Sequence, residues 1–165
     1  MTTIEVIAPG ALTTVQDLGR PGWAHLGVPR SGAADRPALR LANRLVGNEA
    51  GAAALETTLS GPRLRFDAET VVALTGAPVD ATAGDQSVPM DTAVTVAGGE
   101  VLKVGNAKQG LRTYIAFQGG IDLPLVLGSA ATDLLAGLGP APLARGDTLA
   151  LAPAGVRWGG RASGA

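Results

Sequence analysis

A chain of 165 residues suits one domain with a single ordinary core. Thirteen Lys and Arg against fourteen Asp and Glu leave a net charge of −1, and two Trp, one Tyr and two Phe make no row of base-stacking platforms, so nucleic acid is excluded as the expected partner. The absence of cysteine excludes disulfides, thiolate metal ligands and cysteine nucleophiles together.

In chain order, the opening MTTIEVIAPG lacks the basic and apolar segments of a secretory signal and reads as a strand over Ile4–Ala8. No run along the chain approaches the ~18 apolar residues of a membrane span, so a cytoplasmic protein without membrane contact is expected. Next comes TVQDLGRPGWAHLGVPRSGAAD (14–35), too broken by glycine and proline for a helix and too polar for a buried strand. Two readings stay open for it. Asp17 and Ser31 can bond nearby backbone in turns while the glycines supply positive φ, or the segment can present N–H groups at a helix start to a carboxylate or amide oxygen. His25 is the only histidine, so no metal site is expected, and it reads as structural rather than as a general base.

Ala38, Leu41, Ala42 and Leu45 recur at i, i+3, i+4 and i+7, while Arg36, Arg40 and Arg44 occupy another face. This predicts one principal amphipathic helix over about 35–47, with Asp35 as N-cap, Pro37 in the first turn and Gly47 as the left-handed stop. Asn43 and Asn48 read as caps at its C-terminal end, and Glu56, before TTLSGP, as a surface carboxylate. Strands are predicted at Leu64–Phe66 and Thr70–Leu74, with Thr75 and Gly76 offering a hydroxyl and open backbone at the exit. Ala93–Ala97 and Val101–Val104, around Gly98-Gly99, predict a hairpin, followed by a strand over Leu111–Phe117. The clusters at 119–122 and 128–133 flank the apolar LPLVL, Ser129 is the expected cap of a short helix over Thr132–Leu135, and Thr148–Leu151 is the last strand. The domain is placed at 1–153 and a loose tail at 154–165.

Twenty-four Gly and eleven Pro, dispersed between short apolar stretches, argue for a mainly β domain closed as a barrel or sandwich rather than for βαβ units. The sequence has no G-x-x-x-x-G-K-[ST] phosphate loop, no G-x-S-x-G elbow and no dinucleotide fingerprint.

Taken together and in order, TTVQDLGRPG (13–22), HLGVPRSGAAD (25–35), ALRLANRLVGN (38–48), ALETTLSGP (54–62), ALTGA (73–77), GGID (119–122), LGSAATD (127–133) and RGD (145–147) closely resemble the amino-terminal half of the biotin-dependent carboxyltransferase family. That family includes allophanate hydrolase subunit 2, the third subunit of bacterial 5-oxoprolinase and a KipA-type antagonist of a sporulation kinase inhibitor. The resemblance covers about residues 2–152 and implies a cyclophilin-like β-barrel. Two departures stand out: family members are about twice this length, and they usually carry arginine where this chain has Ala130.

The resemblance implies a subunit, or part of one, in an ATP-dependent complex that processes an amide, lactam or urea, with the isolated chain inactive. Its expected partner is a KipI-like or allophanate hydrolase subunit 1-like protein, joined by a companion chain supplying the missing carboxy-terminal half, and an oligomer is expected. Biotin, as carboxybiotin, or ATP would come through partner subunits, none being bound by this chain alone. Asp17, Asp35 and Asp133 are the implied proton acceptors or orienting groups. Gln16, Arg20, Ser31, Gly32, Thr75, Gly76 and Ser129 are the implied substrate contacts. The alternative is a non-catalytic, KipA-like interaction module.

Overall fold

The computed structural model of the protein describes residues 1–155. Its strands are β1 (Thr3–Ala8), β2 (Leu12–Gln16), β3 (Ala54–Thr58), β4 (Arg63–Phe66), β5 (Thr70–Gly76), β6 (Ala81–Ala83), β7 (Gln86–Ser87), β8 (Val94–Val96), β9 (Val101–Val104), β10 (Arg112–Phe117) and β11 (Thr148–Ala150); the helix α1 spans Arg36–Leu45. The fold is mainly β with one principal helix, as the sequence implies. Its strands make two antiparallel sheets, ordered β11-β1-β4-β9-β6-β7 and β2-β3-β10-β5-β8, each with two free ends, so they do not close into a barrel.

The core lies where the two sheets share side chains. Ile4, Val6, Leu64, Phe66 and Leu102 come from the first sheet, and Val15, Leu55, Val72, Leu74, Ile115 and Phe117 from the second. Phe66 and Phe117 meet across it with ring centroids 6.0 Å apart and planes tilted by 56°. In β4 the sequence RLRF alternates exposed and buried residues, as a strand with one wet face must. In β10 the residues from Thr113 to Phe117 are all buried, because Ile115 and Phe117 face the core while Tyr114 and Ala116 face α1.

Helix α1 covers the outer face of the second sheet. Leu39, Ala42 and Val46 pack on Ala54, Ala73, Tyr114 and Ala116, where small strand residues let the helix approach closely. Burying Leu39 contributes on the order of 2 kcal/mol. Asp35 caps the helix as expected, its carboxylate accepting from the Ala38 N–H at 3.0 Å, and Gly47 ends it at φ +79°. The buried stripe is rotated from the expected one: Leu41 is exposed and Asn43 is fully buried. Asn43 is admitted because its amide donates to the carbonyls of Ala50 and Ala52, and Asn48 donates to that of Phe117. Both brace the chain leaving the helix rather than cap it.

Two further expectations are corrected. β8 and β9 do not pair as a hairpin: β8 joins β5 in one sheet and β9 joins β4 and β6 in the other, with Gly99 donating to the Phe66 carbonyl where the chain crosses over. No helix forms over 132–135; instead Asp133 pairs with Leu138 across a turn. The tail expected over 154–165 lies outside the described residues from 156 onward.

Candidate functional site

Three segments distant in sequence meet beyond the end of β2. Residues 17–20 continue that strand, 30–33 lead toward α1, and 126–133 connect β10 to β11. The first two interlock through glycine. A Cβ on Gly19 (φ +87°) would lie 2.5 Å from the carbonyl oxygens of Arg30 and Ser31, and one on Gly32 (φ +85°) would lie 2.6 Å from the nitrogen of Gly19. Only glycine fits where two backbones press this closely in that conformation. The Arg20 N–H donates to the Arg30 carbonyl at 2.7 Å and the Ala33 N–H to that of Asp17 at 2.9 Å, completing the lock.

Asp17 ties the third segment on. One carboxylate oxygen accepts from the Gly19 N–H at 2.7 Å and the Ser129 hydroxyl at 2.6 Å, the other from the Ala130 N–H at 2.8 Å. Arg20, only 1% exposed, donates from Nε to the Val126 carbonyl at 3.1 Å and from Nη2 to that of Ala131 at 2.6 Å. Its Nη1 has no partner among the described residues, and neither has Oε1 of Gln16, whose amide nitrogen donates to the Thr132 carbonyl. A buried guanidinium N–H left unpaired is a ready donor for an oxygen ligand or a water.

Ser31, at φ +55°, donates its hydroxyl to Asp133 at 2.7 Å, whose other oxygen accepts from the N–H groups of Leu135 and Ala136. The Ala136 N–H, the Ser31 hydroxyl, the Leu135 N–H and the nearby Arg20 charge hold the Asp133 carboxyl below the usual value of 3.8. Asp17, Arg20, Ser31, Gly32, Ser129, Asp133 and Gln16 are therefore brought together. Beside them the exposed His25 stacks on Trp23 with centroids 6.4 Å apart.

Asp35, Thr75 and Gly76 belong to the start of α1 instead. Asp35 is the cap, the Thr75 hydroxyl donates to the Ala38 carbonyl at 2.6 Å, and Gly76 (φ +90°) sits against the carbonyl of Arg112. Here the structure adds a group that the sequence reading missed. Glu56, read as a surface carboxylate, is 5% exposed and accepts from the Tyr114 hydroxyl at 2.7 Å, the Ala34 N–H at 2.9 Å and Arg112 at 3.3 Å. The Tyr114 oxygen accepts from the Asp35 N–H at 2.8 Å. Burial first, and then the hydrogen bond to Glu56, push the Tyr114 phenol well above its usual 10.0. The only hint in the sequence is the alternation of Glu56 and Tyr114 with apolar neighbours. A separate cavity of about 230 Å³ between Glu69, Gln118 and Leu151 shares no residue with either group.

Two antiparallel sheets under one helix, with a glycine-locked loop cluster at one end, are also the shape of solved urea-processing enzymes. The Kluyveromyces lactis urea amidolyase superposes with a TM-score of 0.88 at 44% identity over 90% of this chain and 9% of that one, and the urea carboxylase of the same yeast gives 0.88 and 44% over 90% and 14%. The chain belongs to the family described as carboxyltransferase domain, subdomain A and B, which matches residues 26–163 and bears out the resemblance. It is 44% identical over 139 residues to the Saccharomyces cerevisiae urea amidolyase and 43% identical over 136 residues to the third subunit of the Escherichia coli 5-oxoprolinase. Those matches take 84% and 82% of this chain but 8% and 44% of the relatives, so the chain spans less than half the length of either.

Proposed function

We propose that this chain is a subunit, or part of one, in an ATP-dependent complex that processes an amide, lactam or urea, working beside a KipI-like partner and a companion chain. Family membership supports the class of chemistry. The observation that carries the site is the convergence of Arg20, Ser31 and Asp133 from three separate segments. Amide and urea nitrogens are poor nucleophiles, so such a site must stabilise charge on the neighbouring carbonyl oxygen and accept a proton from nitrogen. The unpaired Arg20 Nη1 fits a carbonyl or carboxylate oxygen, and Asp133, kept ionised and bonded to Ser31, is the acceptor of the proton. Asp17 has both oxygens filled and serves as an orienting group. Biotin and ATP are assigned to partner subunits.

A second reading, the non-catalytic KipA-like module, is favoured by one specific feature. Asp17, Ser129 and Asp133 all have their hydrogen bonds met inside the chain. The two readings separate when the chain is co-purified with a KipI-like protein and the complex is assayed for loss of 5-oxoproline or urea with ATP. Ser31→Ala and Asp133→Asn are expected to lower turnover by roughly tenfold or more. If both stay within about twofold of wild type, this site is wrong; a stable complex with no turnover beyond the partner's own establishes the module.

A further inference from the structure

Ser31 occupies the left-handed region at φ +55°, where a residue with a side chain persists only if its surroundings hold it. On one side the hold is the contact between Gly19 and Gly32. On the other it is the buried group under α1. Glu56 Oε2 receives the Ala34 N–H at 2.9 Å and the Tyr114 hydroxyl at 2.7 Å, and the Tyr114 oxygen receives the Asp35 N–H at 2.8 Å. Arg112 anchors the other Glu56 oxygen and also reaches the Thr58 hydroxyl. Packing under the helix would be met by phenylalanine and an apolar residue. Instead two buried polar side chains address consecutive backbone amides, three and four residues beyond Ser31.

We propose that Glu56 and Tyr114 are positioning residues, holding the 31–35 segment so that the Ser31 hydroxyl meets Asp133. The proposal rests on the functional reading above for the task of Ser31, but not for how Ser31 is held. Tyr114 is the only tyrosine in the chain, so its ionisation is read directly from phenolate absorbance. The charged groups facing it are Glu56 and Asp35, with Arg112 on the far side of Glu56.

In the wild-type chain phenolate absorbance is expected to stay absent through the usual midpoint of 10.0, whereas an ordinary titration there would show that the buried group does not exist in solution. The decisive measurement is the NMR titration of the Asp133 carboxyl in wild type, Tyr114→Phe, Ser31→Ala and the double variant. Tyr114→Phe, which keeps the ring, is expected to raise the Asp133 midpoint as Ser31→Ala does, and the double variant to move it no further. A Tyr114→Phe midpoint equal to wild type, or shifts that add in the double variant, overturns the proposal. Should Tyr114→Phe fold poorly, Glu56→Gln takes its place with the same expectations. None of these readouts needs turnover, so an inactive complex would sink the proposed function while the titrations alone decided the positioning.

Discussion

Asp17 shows how a polar residue earns a place in the interior: it is 8% exposed and its two oxygens meet three donors. Asp17→Ala would strand those donors, with an expected loss on the order of 3 kcal/mol in urea unfolding, against about 1 kcal/mol for Ser129→Ala. Asp133 gives the pH dependence. Its folded carboxyl titrates below 3.8, so its contribution to stability is present above that value and lost as pH falls through the lower folded one. Asp67, held low by Thr3, acts in the same direction. Unfolding midpoints are expected to be flat through neutral pH and to decline below about 4, less steeply in Ser31→Ala, where the hydroxyl that lowers Asp133 is gone. Residue identity alone pointed to Asp17, Arg20, Ser31 and Asp133 as a group, since family motifs carry them, but it could not show that most of their hydrogen bonds are met internally. Glu56 was illegible for a related reason: its partners lie 22, 56 and 58 residues away.

At the level of elements, legibility followed burial. β1, β4 and β9 alternate or carry branched apolar residues and can be read directly. β2 and β3, LTTVQ and ALETT, cannot, because Thr13, Thr14, Gln16, Glu56 and Thr57 are polar residues in buried strands. The same cause rotated the helix stripe, since a buried Asn43 looks like a solvent position. The hairpin expected around Gly98-Gly99 failed because turn chemistry marks a reversal of the chain without saying which sheet receives the next strand. The glycine lock can be tested with an internal control. Gly19 and Gly22 both have φ near +90°, but a Cβ on Gly19 meets two carbonyl oxygens and one on Gly22 meets nothing within 4 Å. Gly22→Ala is expected to cost about 1 kcal/mol in unfolding free energy for the conformation alone. Gly19→Ala is expected to cost more than twice that, and similar losses would show that the two segments do not touch.

On the scale of the whole molecule, Leu125, Leu134 and Leu135 stand 55%, 62% and 91% exposed beside the loop cluster, an apolar surface of the kind that promotes association. The chain alone is expected to sediment as an oligomer at micromolar concentration, and a monomer across that range would contradict it. The path of the chain through its sheets has another consequence. Successive strands alternate between the layers, with β1 in one, β2 and β3 in the other, β4 back in the first, and so on to β10 and β11. Any cut between β2 and β10 therefore leaves pieces that each hold strands of both layers and complete neither. Two such pieces, expressed separately and fused to interacting tags, would have to find each other to acquire structure at all, making this domain a natural candidate for a split reporter.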